Sequence, residues 1–147
     1  MDPQLAALAV IFERECHHIV ALQALPTKLR FVLQGGYVCE LFFRSRTGGY
    51  SYVLVKDEQR VMGWDNALHH PHIPTAPHHF HTPDGAIASS PLIGDPTRDI
   101  VHVAREINRY LETEAAQGVM ELIKEPRALY ATAGEGITPA DPEEARC

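Results

Sequence analysis

The chain has 147 residues, of which 45% are hydrophobic and 22% charged, a composition that excludes a disordered polymer and suits a globular chain of ordinary domain size. Its formal net charge of −6 excludes a protein that coats phosphate backbones over its whole surface. Residues 26–64 invert that sign: Lys28, Arg30, Arg44, Arg46, Lys56 and Arg60 face only Glu40, Asp57 and Glu58, which gives a nucleic-acid ligand one basic stretch to meet. The three cysteines, Cys16, Cys39 and Cys147, are far apart and form no CxxC, which argues against a disulfide framework or a thiolate zinc site. No apolar run approaches the roughly 20 residues of a membrane span, and no basic region precedes an apolar stretch at the start. A cytoplasmic protein without membrane contact is the expectation.

In chain order, Asp2-Pro3 offers a helix N-cap followed by proline at the first helical position. Leu5, Leu8, Phe12, Cys16 and Ile19 recur at helical spacing, which predicts an amphipathic helix over residues 3–23, ended by Pro26. Leu29 to Leu33 reads as a strand and Gln34-Gly35-Gly36 as a turn. Tyr37 to Arg44 reads as a strand with apolar residues on both faces at its centre. Thr47-Gly48-Gly49 is a turn, Tyr50 to Lys56 a third strand, Asp57-Glu58 a turn, and Arg60 to Trp64 a fourth strand. Connections this short join antiparallel neighbours.

Residues 65–96 contain Pro71, Pro74, Pro77, Pro83, Pro91 and Pro96, a density that excludes a helix and most strand pairing and favours an extended, partly polyproline-like path. Asp95-Pro96 repeats the N-cap signal, and Ile100, Val103, Ala104, Ile107 and Leu111 predict a helix over residues 96–116, with a break at Gly118. The expected fold class is α+β: an antiparallel β-meander of about four strands packed against an N-terminal and a C-terminal helix. A single domain over residues 1–130 would carry the His- and Pro-rich functional loop 65–96, and a Gly-, Pro-, Ala- and Glu-rich tail over 131–147 would be disordered.

Six of the nine histidines fall between residues 69 and 81: His69, His70, His72, His78, His79 and His81. Histidine changes charge near neutral pH and is the commonest metal ligand. In an extended chain, residues i and i+2 share a side, so His70 can meet His72, and His79 can meet His81. Pro71 and Pro74 forbid the helical H-x3-H metal pairing. His78 is expected to point away from His79, towards the scaffold. His17, His18 and His102 fall in the predicted helices as surface or interface residues.

Gly63-Trp64-Asp65-Asn66-Ala67-Leu68-His69-His70, followed by Pro77-His78-His79-Phe80-His81, resembles the RWDNAPHH…PHHKH signature of TumE-like toxins of prokaryotic type II toxin–antitoxin pairs. The likeness extends over roughly residues 25–115. Gly63, Leu68 and Phe80 depart from the pattern, which has Arg, Pro and a basic residue there, and these departures imply a weaker hold on phosphate. The resemblance implies a cognate antitoxin of the helix-turn-helix class. RNA cleavage is the commonest activity among small toxins of such pairs, and small toxins often pair as homodimers.

Three functional readings stay open at this level. In a metal-independent endoribonuclease, His70 and His79 are the favoured acid/base pair, with His69 and His81 as further candidates and Asp65 orienting an imidazole. Arg60, Arg44 or Arg46 would hold the phosphate, Trp64 would stack a base, and Asn66 and His78 would contact substrate. Alternatively, His70, His72, His79, His81 and Asp65 supply ligands for a divalent metal. The third reading is a rigid protein-binding loop whose histidines satisfy backbone groups. Trp64 at a strand end also fits a core position, and Asp65-Asn66 also fits ordinary turn chemistry.

Overall fold

Short turns leave each of the first five strands its chain neighbour within reach. The computed structural model, which describes residues 1–123, adds two strands after the His- and Pro-rich loop, where proline density speaks against pairing, and gives seven antiparallel strands in the order β1 to β7. They are β1 (Ile19–Ala24), β2 (Leu29–Leu33), β3 (Tyr37–Arg44), β4 (Gly49–Lys56), β5 (Gln59–Asp65), β6 (His79–His81) and β7 (Ile87–Ser89). Helix α1 (Pro3–Glu15) precedes them and α2 (Pro96–Ile123) follows. The class is α+β as expected, and the expected meander is β2 to β5, with three further strands extending it. The chain divides into two compact units, Met1–Arg109 and a second beginning at Tyr110, of which residues 110–123 are described. The tail expected over 131–147 lies outside the described residues.

The predicted first helix runs too long. Cys16 and Ile19 suit a helix face, but α1 stops at Glu15 and Cys16 takes an extended conformation. Asn108, buried on α2, fixes this exit: its Nδ2 donates to the Glu15 carbonyl (2.8 Å) and its Oδ1 accepts from the His17 N–H (2.9 Å). The chain released there pairs with β2 as β1, and His17 and His18 lie outside any helix. At the other end, α2 continues through Gly118 to Ile123; a single glycine costs a helix only about 1 kcal/mol.

Strands β2, β3 and β4 alternate in burial. In β3, Tyr37, Cys39, Leu41 and Phe43 are buried, while Val38, Glu40 and Phe42 are half-buried and Arg44 is exposed. One sheet face is therefore covered and the other open, in place of a strand buried on both sides. On the covered face, α1 lays Leu5, Leu8 and Phe12 against β2 and β3, with Phe12 and Phe31 ring centroids 4.6 Å apart. Near β5, Trp64 stacks on Phe80 and meets the His102 ring of α2 edge-on. Each fully buried large apolar side chain contributes about 1.5–3 kcal/mol.

Two stability outcomes follow from these joints. Asn108→Ala strands the Glu15 carbonyl and the His17 N–H together, and chemical denaturation should show a loss of about 2 kcal/mol. Asp2, the N-cap of α1, is held down at about 2 by the Ser45 hydroxyl, then by the Ser45 N–H. A carboxyl depressed in the folded state stabilises fully above its ordinary value of about 3.9, and that stabilisation fades as pH falls towards about 2. Asp2→Asn should flatten the stability profile in that window, read by thermal melts across acid pH.

Candidate functional site

Residues paired directly across antiparallel strands point to the same face. The register therefore lines up Phe42, Ser51, Asp65, His79 and Ser89 as one row across the open face, and Glu40, Val53, Gly63, His81 and Ile87 as the next. Asp65 ends β5 and His79 begins β6, so their pairing closes the intervening loop.

Asp65 joins the cluster. Its Oδ1 lies 3.0 Å from Nε2 of His79, and its Oδ2 lies 3.1 Å from Nε2 of His81. Oδ1 also accepts from the Ala67 N–H at 3.0 Å, which fixes the carboxylate plane. His79 is only 2% exposed, and its Nδ1 stands 3.0 Å from the Pro77 carbonyl. Acceptors thus face both of its ring nitrogens, so each must carry a proton or share one with Asp65. His81 is half-buried beside it, with ring centroids 4.9 Å apart. The loop delivers a third imidazole: His70 stands 4.7 Å from His79 and 6.1 Å from His81, centroid to centroid. One ring nitrogen from each of the three lies within 4.8 Å of the others, close enough to hold a metal ion.

The loop is not extended. Successive turns bond Ile73 N–H to His70 O, Ala76 N–H to Ile73 O, and His78 N–H to Thr75 O, with Ile73 tucked inward. These turns cancel the two-residue rule before His79. His70 consequently faces His79 and His81, while His72 is exposed beside it at 6.0 Å and His69 is exposed too. Within β6 the rule holds, and His79 and His81 share a side. His78 points the other way, as expected. Its Nδ1 and the Tyr50 hydroxyl are 2.8 Å apart, and its ring packs over Gly94, where a Cβ would come within 3.3 Å. His78 anchors the loop.

Partial desolvation lowers the pKa of His70, helped by the charges of His79 and His72. Burial lowers that of His81, helped by the guanidinium of Arg60. A β-bulge puts Arg60 there. Leu54 pairs with Met62, but Val55 pairs with Arg60, so Val61 is the extra residue and Arg60 turns onto the open face. Its Cδ lies 3.5 Å from where a Cβ on Gly63 would sit. The arm of Arg60 thus lies beside the position where the family pattern has arginine. Phe80 belongs to the covered face against Trp64, so its departure from the pattern removes no charge from the cluster.

Other expected contacts fall elsewhere. Trp64 is 1% exposed and cannot offer a face to a base; the core position is the one it takes. The Asn66 side chain accepts from the Tyr50 N–H and donates to the Gly48 carbonyl, clamping the β3–β4 turn to the end of β5. Arg44 and Arg46 lie at that turn, exposed, with the Arg44 guanidinium 5.6 Å over the Phe42 ring. Sequence reasoning passed over Phe42, although β3 alternation places it on the face of Arg44.

A cluster built on the Asp65-Asn66 and His78-His79-Phe80-His81 segments agrees with the comparison against known families. The family model described as Toxin TumE matches residues 9–111, which span β1 to β7 and every residue of the cluster. No curated protein and no solved structure matches the chain. The chain belongs to the TumE toxin family, which makes it a toxin and, in general, one answered by an antitoxin.

Proposed function

We propose that this toxin acts on RNA as a histidine-dependent endoribonuclease that needs no metal. The shared carboxylate carries the reading: Asp65 gives one oxygen to each of two imidazoles, on an open sheet face beside a guanidinium. Cleavage by RNA's own 2′-OH needs a base, an acid for the leaving 5′-oxygen, and a cation at the phosphate. His81 is the base: its Nε2–H donates to Asp65, which leaves Nδ1 to accept a proton. His70, across the cluster, is the acid, and Arg60 holds the phosphate. His79, buried and bonded at both nitrogens, positions Asp65 instead of touching substrate, so the working pair is His70 with His81 in place of His70 with His79. Both carboxylate oxygens are engaged, and the positive charge of Arg60 opposes a divalent ion at short range. The antitoxin partner is expected to be a short helix-turn-helix protein.

A metal reading has its own supporting observation. Ligating histidines commonly donate their other ring N–H to a backbone carbonyl, as His79 Nδ1 does to Pro77, and three ring nitrogens converge. Elemental analysis of protein purified without a His-tag separates the readings: stoichiometric zinc, manganese or iron favours the metal.

Incubation with RNA in EDTA is the functional test. The expected products carry 2′,3′-cyclic phosphate ends, and His81→Ala or Asp65→Asn should slow their formation by about 10²–10⁴-fold. RNA left intact contradicts the metal-free reaction. The pH profile is a second check. The rate rises as His81 loses its proton and falls as His70 loses its own. Both pKa values are lowered from the ordinary 6.5, so the maximum should lie below that value. A maximum above pH 8 would assign the proton transfers to other groups.

A further inference from the structure

We infer that the open face carries a nucleobase subsite at Phe42, which stacks the base of the nucleotide whose 2′-OH attacks. This rests on the RNA reading above and names where that substrate is gripped. Phe42 pairs with Ser51, and Ser51 pairs with Asp65, so all three stand in one row. Strands are spaced about 4.8 Å apart, which sets Phe42 roughly 10 Å from the carboxylate, a span one nucleotide bridges from base to 3′-phosphate.

The ground between is a shallow, open depression whose lining includes Phe42, Ser51, Asp65, Asn66 and Leu68. Phe42 is half-exposed although its neighbours Leu41 and Phe43 are buried, and Leu68 is 85% exposed. Two apolar side chains beside polar ones suit a flat ring with hydrogen-bonding edges, and Ser51 presents a hydroxyl to such an edge. The clamp from Asn66 to Gly48 and Tyr50 holds this lining in place.

Charge selects a nucleotide over an apolar peptide side chain. Arg44 lies over the Phe42 ring at 5.6 Å and the Arg60 guanidinium acts on His81 in the adjacent row, so one cation stands near Phe42 and another near the imidazoles. A base on Phe42 leaves its 3′-phosphate at Arg60 and the imidazoles, and its 5′-phosphate towards Arg44. Aromatic stacking tolerates any base, so the subsite sets position more than sequence.

The probe is adenosine 3′-monophosphate, titrated by NMR into the full-length protein. Saturable binding is expected, weakened about tenfold by Phe42→Ala, weakened less by Leu68→Ala, and kept by Phe42→Trp. Leu68 is exposed enough that its variant tests the subsite without testing the fold, and a melting curve checks Phe42→Ala. Wild-type protein that fails to bind, or binding that both alanine variants leave unchanged, overturns the subsite even if RNA is cleaved. Binding at Phe42 by a protein that leaves RNA intact upholds the subsite and overturns the endoribonuclease.

Discussion

The site depends on one carboxylate holding two imidazoles. Asp65 can do this because it occupies the last paired position of β5, where the next strand places His79 opposite and His81 two residues on, on the same side. The loop between them must return in register, and its own turns, the inward Ile73 and the His78–Tyr50 contact see to that. A slip of one residue in the β5–β6 pairing would send His79 and His81 into the covered face and bring Phe80 out. The stacking of Phe80 on Trp64 therefore protects the site from the far side of the sheet: aromatic burial fixes the register, and the register fixes the imidazoles.

The two sheet faces divide the labour. Helices cover the face of Phe31, Leu41, Tyr52 and Trp64, and that burial stabilises the fold. The other face keeps Arg30, Arg44 and Arg60 within the one stretch of the sequence whose charge balance is positive, in a chain of net charge −6. On the RNA reading, that distribution suits selective contact in place of general coating.

Much of this was legible in the sequence. The Gly-Gly and Asp-Glu turns fixed the meander, and six histidines among prolines marked the loop. Three things were hidden, each for a physical reason. Cys16 and Ile19 continue the helical spacing of α1, and the bonds from the distant Asn108 that end the helix leave no local signal. Strand β6 is three residues long and begins two residues after Pro77, too short for alternation to register. The β-bulge at Val61 moves Arg60 to the other face, which strict alternation reads wrongly. His70 was named from its neighbourhood, but its meeting with His79 and His81 depends on turns that proline content alone described as extension.

The central claim is that Asp65 organises protonated imidazoles, and the ring nitrogens themselves report this. Long-range nitrogen–hydrogen NMR of the histidine side chains in the full-length protein at neutral pH gives the protonation of each nitrogen. The account predicts a proton between Asp65 and Nε2 of both His79 and His81, with a bare Nδ1 on His81. A His79 or His81 whose Nε2 carries no proton and shifts when EDTA is added would contradict it and place a metal at the carboxylate.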